Sequence, residues 1–134
     1  MKTFGKDEVG RRGEKLAAKY LRKQGYRVVA RRLHCGRNEL DLIVKNREYI
    51  VFVEVKTRTF ETAEEAEAQR PALAVDAEKR RRTAEAAREY LRKHRTGRCP
   101  RLDVVEVYLD RSKRPKPFKI HHIEAAFGAA GKVR

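Results

Sequence analysis

The chain is 134 residues long, and its 34 Lys and Arg against 19 Asp and Glu leave a formal net charge of +15. That length suits one domain with a core of its own, so neither disulfides nor a structural metal are needed to hold it. Positive charge in such excess points to a polyanionic partner, nucleic acid before an anionic membrane, because no apolar run reaches spanning length and no basic amphipathic helix carries aromatic anchors.

The opening stretch "MKTFGKDEVGRRGE" lacks the hydrophobic core of a secretory signal, so the expected compartment is the cytoplasm, where Cys35 and Cys99 stay reduced. The two cysteines stand far apart, with no Cys-x-x-Cys and no Cys/His quartet, which leaves no zinc or redox motif. From Asp7 to Gln24, Val9, Gly13, Leu16, Ala17, Tyr20 and Leu21 recur with the period of an amphipathic helix, and Gly25 supplies its stop. Three β-rich segments follow, "YRVVARRLHC", "ELDLIVKN" and "YIVFVEVKTR". The last two are joined by a tight polar turn at Asn46, Arg47 and Glu48, which predicts an antiparallel meander. The acidic, Ala-rich stretch "TFETAEEAEAQRPALAV" contains Pro71 and fits a loop or a broken helix equally. A second helix is predicted from Asp76, as N-cap, to His94, with Thr83, Ala86, Ala87, Tyr90 and Leu91 as its inner stripe and Gly97 as its stop. "RLDVVEVYL" is then a strand and "PFKIHHI" a weaker one, leading to a terminal turn around Phe127. The order αβββαβ over a single domain, residues 1–134, makes the fold α/β with a central mixed sheet flanked by helices. The second helix must cross over so that "RLDVVEVYL" lies beside "YIVFVEVK".

Charges inside the apolar strands carry the functional signal. Alternation puts Glu54 and Lys56 on one strand face with Ile50 and Phe52, and Val51, Val53 and Val55 on the other. On the preceding strand Glu39 and Asp41 share a face opposite Leu40, Leu42 and Val44, so closure of the hairpin brings Asp41 toward Glu54. Two carboxylates so placed require a cation between them or a shared proton. Glu14 falls on or beside the inward stripe of the first helix and can join them around an all-oxygen site, which suits Mg²⁺ or Mn²⁺ rather than zinc. Each of these elements is a short motif. Spacing alone leaves an ordinary Glu–Lys surface pair and a solvated Glu14 as open as a catalytic site. His121 and His122 are adjacent and face opposite ways on a strand, so they cannot serve one metal, and Asp103, which begins a strand after Arg101, caps or pairs locally.

The segments "GEKLAAKYL" from Gly13, "NELDLI" from Asn38, "FVEVKTR" from Phe52 and "RLDVVEV" from Arg101 together resemble the YraN-like family of small bacterial proteins. Two departures stand out: Asn38 occupies the place of that family's Gly, and Arg32-Leu33-His34 that of its N-x-R. The resemblance implies a restriction-endonuclease-like fold with a PD-(D/E)xK nuclease core, similar in outline to archaeal Holliday-junction resolvases. It implies Asp41 and Glu54 as metal ligands, Glu14 as a supporting carboxylate and Lys56 as the residue that orients or activates an attacking water. The activity it implies is Mg²⁺-dependent (or Mn²⁺-dependent) hydrolysis of DNA phosphodiesters. The expected substrates are junctions, flaps or ends in repair or recombination, with DNA favoured over RNA and a homodimer suited to a two-fold junction. Arg11, Arg12, Arg31, Arg32, Arg58, Arg80, Arg81 and Arg82 are candidates for sequence-independent phosphate contacts, although such runs also occur as solvated element ends. A second reading keeps the fold and the charge without the chemistry: a non-catalytic nucleic-acid-binding protein, indifferent to EDTA.

Overall fold

A computed structural model of the chain describes residues 6–60, 62, 64, 77–110 and 117–126. Helix α1 (Lys6–Lys23) buries Gly13, Ala17, Ala18 and Leu21, the stripe its periodicity predicts. It closes on Gly25, whose φ of 98° is left-handed. There the Gly25 N–H donates to the Arg22 carbonyl and the Tyr26 N–H to the Leu21 carbonyl, each at 3.0 Å, so that two end carbonyls are satisfied.

Strands β1 (Arg27–Cys35) and β2 (Asn38–Lys45) form a hairpin in which Cys35 pairs with Asn38. The left-handed residue of that turn is Gly36, with φ of 62°, and Asn38 opens β2 in ordinary strand pairing. Strand β3 (Tyr49–Phe60) follows the Asn46 turn, where the Asn46 side-chain oxygen accepts from the N–H groups of Glu48 at 3.0 Å and Tyr49 at 2.7 Å. After helix α2 (Ala77–Lys93) come β4 (Cys99–Asp110) and the edge strand β5 (Pro117–Ile123). The five strands lie in the order β1-β2-β3-β4-β5. All neighbours are antiparallel except β3 and β4, which run parallel from Tyr49↔Cys99 to Phe60↔Asp110. The chain thus passes from β3 through α2 to the parallel neighbour, as the order of elements requires.

Each sheet face has its own helix. Helix α1 packs on Leu42, Val44, Val51, Val53, Val105, Val107 and Leu109. On the other face α2 sets Ala86, Ala87 and Tyr90 against Leu40, Ile43, Ile50 and Phe52. The fold is α/β, with a five-stranded mixed sheet between two helices, consistent with a restriction-endonuclease-like αβββαβ core. Helix α2 ends short of Gly97. The His94 N–H makes the last helical bond, to the Tyr90 carbonyl at 2.8 Å, and the His94 ring stacks on Tyr90 with centroids 4.2 Å apart, so the helix ends at Lys93 ahead of the glycine. The stretch with Pro71 begins inside β3, which runs through Thr59 and Phe60 in place of the expected loop or broken helix; the rest of it apart from residues 62 and 64, the Asp76 cap and the turn around Phe127 lie outside the described residues. No described helix is long and apolar enough to cross a membrane.

Candidate active site

Strict alternation along β2 would place Leu40 and Leu42 together, yet Leu40 packs with Ile43 under α2 while Leu42 and Val44 pack under α1. The expected grouping of Leu40 with Leu42 and Val44 therefore does not hold. Strand β1 changes face at the same level while its register is kept, since Ala30 and Leu33 both join the α2 side, and between them Arg32 has φ of 47°, unusual for a residue with a Cβ; the register itself shifts earlier, between Val28 and Ala30. Arg31 pairs with Leu42 and Leu33 with Leu40, which leaves Arg32 and Asp41 between those rungs. Pairing of β2 with β3 extends from Lys45↔Ile50 only as far as Leu42↔Val53. Irregularities of this kind re-aim a side chain. Here Asp41 reaches β3 beyond the last rung, and its Oδ2 accepts from the Val55 N–H at 2.9 Å.

That turn of the chain brings Asp41 to Glu54, which projects from β3 toward α2 and is only 3% exposed. Lys79 Nζ lies 3.0 Å from Glu54 Oε1. The Thr83 hydroxyl lies 3.3 Å from Glu54 Oε2 and 3.0 Å from the Lys79 carbonyl, so its one proton serves two acceptors. Burial first, and then the Asp41 carboxylate, push Glu54 up to about 7 against the pull of Lys79 and Thr83. Burial also raises Asp41, opposed by the Val55 N–H, Lys79 and Glu54 and reinforced by Glu39. The two acids are thus held together with less compensation than two negative charges need.

Asp41 lines a cavity of about 420 Å³ together with Glu39, Arg37, Asn38, Arg82, Lys79 and Thr83, the last two being the partners of the buried Glu54. A carboxylate on that wall with a second one against it suits a hard divalent cation that keeps several waters, Mg²⁺ or Mn²⁺. Among the described residues no three Asp, Glu, His or Cys side chains stand close enough to hold an ion alone. Asp41 and Glu54 fit such a cation as its protein ligands, with waters or substrate oxygens completing the shell.

The model of the uncharacterised protein family UPF0102 matches residues 13–107, from the glycine that precedes Glu14 through Asp41, Glu54, Lys56 and Lys79 into β4. The chain belongs to the UPF0102 family. This is the YraN-like group that the motifs resemble. A UPF0102 protein of Caldanaerobacter subterraneus subsp. tengcongensis is 39% identical over 128 residues, 95% of this chain and all of that one. One from Koribacter versatilis is 44% identical over 126 residues, 92% of this chain and 82% of its own. One from Porphyromonas gingivalis is 42% identical over 118 residues, covering 88% and 82% respectively.

Other predicted residues of this UPF0102 chain fall at varying distances from the pair. Glu14 stands beside it, near enough for Asp41 and Glu39 to add to the upward push of burial, but Arg32 Nε holds Glu14 Oε1 at 2.6 Å. A Cβ at Gly13 would overlap the Thr57 side chain, so glycine is what lets α1 lie against β3 at this level. Lys56 is exposed on the same strand face as Glu54. Arg58, next on that face, has its Nε 3.0 Å from Oε2 of the fully buried Glu106, which also accepts from the Tyr108 hydroxyl. Of the basic runs, Arg82 reaches the cavity, Arg81 is exposed elsewhere on α2, and Arg80 is half-buried. Arg11 and Arg12 are exposed on α1, the helix of the opposite face, and Arg31 is exposed on β1. Arg32 is the partner of Glu14. The basic residues are therefore spread over both faces rather than lining one groove.

Sequence reasoning missed Lys79, Thr83 and Arg37 as site residues. The available signal was Thr83 in the predicted inner stripe, with Lys79 one helical turn before it on the same side.

The opposite face of the UPF0102 sheet carries a second buried acid. Asp103 is fully buried and takes Arg101 Nε at 2.8 Å, Arg101 Nη2 at 2.9 Å, His122 Nε2 at 2.7 Å and the Ala125 N–H at 3.0 Å. Arg101 also donates to the Tyr26 hydroxyl at 2.6 Å and lies 4.6 Å from the centre of the Tyr49 ring. Burial alone would raise the Asp103 pKa, but these donors outweigh it and hold it below the usual carboxylate value. His121 instead faces Glu106 at 4.0 Å, so the adjacent histidines do point to opposite sides.

Proposed function

We propose that this UPF0102 chain is a metal-dependent nuclease that hydrolyses nucleic-acid phosphodiesters, DNA before RNA, at junctions, flaps or ends, in repair or recombination. The observation that carries the reading is the Asp41–Glu54 pair: two carboxylates brought together where strand alternation breaks, both raised in pKa, with Asp41 on the wall of a cavity that also carries basic side chains. A fold has no structural reason to bring two acids together with so little compensation, because burying them costs several kcal/mol in general.

Asp41 and Glu54 would hold Mg²⁺ or Mn²⁺, which when bound polarises the scissile phosphate and acidifies a water. Lys56, on the same strand face as Glu54 and open to solvent, would donate hydrogen bonds to the attacking water and to charge developing on the phosphoryl oxygens. The water oxygen forms the new P–O bond as the bond to the leaving sugar oxygen breaks. Arg37 and Arg82 on the cavity wall supply cations for the non-bridging oxygens without reading bases, which agrees with a net charge of +15. A homodimer would match the two-fold symmetry of a four-way junction.

Cleavage of end-labelled four-way junction, flap, single-stranded and linear duplex DNA with Mg²⁺ or Mn²⁺ tests this, run beside Asp41→Ala and Lys56→Ala. Cutting by wild type alone, with all three proteins still binding, supports the nuclease. A second reading, a non-catalytic nucleic-acid binder, draws on the ion pair already present between Lys79 and Glu54. It requires that nothing is cut and that EDTA leaves binding unchanged.

A further inference from the structure

The Glu54 carboxylate already has a cation. Lys79 Nζ sits 3.0 Å from Oε1, and the Lys79 side chain is 49% exposed on the cavity that Asp41 also lines. One turn further along α2, Thr83 supplies a hydroxyl to the other oxygen of the same carboxylate. Spacing of this kind places both groups on one side of a helix, over one acid. Together they offer Glu54 a positive charge and a hydrogen-bond donor, the two things a hydrated metal ion would offer. The lysine is a point charge on a flexible stem, so its head can leave the carboxylate without any movement of the helix.

We propose that Lys79 is the resident counter-ion of the cation position: its ammonium offsets part of the charge of the Asp41–Glu54 pair in the metal-free protein and is displaced when a divalent cation binds there. The inference rests on the pair being a cation site, as the proposed function has it. An ammonium and a divalent ion cannot share the same carboxylates without repulsion, and a partly buried site screens that repulsion poorly. Removing the ammonium must therefore tighten metal binding. A lysine that only positioned substrate would leave metal affinity unchanged, and one that helped to assemble the metal site would weaken it when removed.

The experiment is a Mn²⁺ titration of the full chain without nucleic acid, with free ion read by electron paramagnetic resonance. It compares wild type, Lys79→Met, Arg81→Met and the double variant Lys79→Met with Asp41→Asn. Arg81 is exposed on the same helix and is not on the cavity, so its variant corrects for the loss of one unit of charge. Lys79→Met is expected to tighten Mn²⁺ by about tenfold or more and Arg81→Met by less than about twofold, with the tight site lost in the double variant. Lys79→Gln, which keeps a donor to Glu54 without the charge, should repeat the gain and guards against a packing effect of methionine. Unchanged or weaker affinity in both Lys79 variants, or a gain that Arg81→Met equals, overturns the inference and leaves the pair a cation site. Absence of Mn²⁺ binding in wild type and both Lys79 variants overturns the inference and the nuclease reading together.

Discussion

Glu54 and Asp103 are near neighbours in the sheet, since Val53 pairs with Asp103 and Glu54 with Val104, yet they face opposite sides and are treated in opposite ways. Asp103 is surrounded by a bidentate arginine, an imidazole and a backbone N–H, and its pKa falls below the ordinary value. Glu54 has one lysine and a hydroxyl shared with another acceptor, stands beside a second acid, and its pKa rises to about 7. Both are buried acids on adjacent parallel strands, so burial is not what sets them apart. Compensation differs: the Asp103 network joins β4 to β5 and to Tyr26 just beyond α1, whereas the Asp41–Glu54 pair has one lysine for two carboxylates.

The contrast predicts effects of opposite sign, and the largest is on chemistry. Asp41→Asn or Lys56→Ala should lower the rate of DNA cleavage by about 10²-fold or more with folding retained, measured by single-turnover assay and circular dichroism. Next in size, Asp103→Ala or Arg101→Ala leaves the other charge buried without its partner and should cost about 3–5 kcal/mol in urea unfolding. Glu54→Gln should do the reverse and stabilise the metal-free protein by about 2 kcal/mol near pH 8, because it removes a charge the site does not compensate.

The pH dependence follows from the same raised pKa. Glu54 has an ordinary value of 4.5 and a folded value of about 7, so between the two the folded protein holds more protons than the unfolded chain. Stability of the metal-free protein should therefore fall as pH rises through that window, and Glu54→Gln should flatten the slope in unfolding curves taken from about pH 5 to about pH 8. Asp103, shifted down, contributes in the other direction: its stabilisation is present above 3.8 and lost as pH falls through its lower folded value. The smallest effect concerns the approach of α1. Gly13→Ala would collide with the Thr57 side chain, its hydroxyl oxygen first, and should cost about 1–3 kcal/mol, while the double change Gly13→Ala with Thr57→Ala should recover part of it.

Much of the fold is legible in the sequence, because helical and strand periods differ and the polar turns are marked by Gly25 and Asn46. The parallel pairing of β3 with β4 follows from a helix having to connect two apolar strands. Asp41 and Glu54 are legible as charges in apolar runs. What lies beyond reading is whatever depends on neighbours across the sheet. The change of face that β1 and β2 make together at Arg32 and Asp41 breaks alternation without any Gly or Pro to announce it. Lys79 opens a run of four basic residues that looks like a solvated helix face, and only packing against β3 shows that its first member turns inward to Glu54. Glu106 alternates with valines as a surface residue would, and its burial becomes apparent only when Arg58 and Tyr108 are placed around it.

The most direct test of the central claim is an anomalous difference map from crystals of the metal-free protein soaked in Mn²⁺. The account predicts a peak within about 2.0–2.3 Å of oxygens from both Asp41 and Glu54, with the Lys79 ammonium moved away from Glu54. A map with no peak at the pair, and Lys79 still on Glu54 at saturating Mn²⁺, would contradict it.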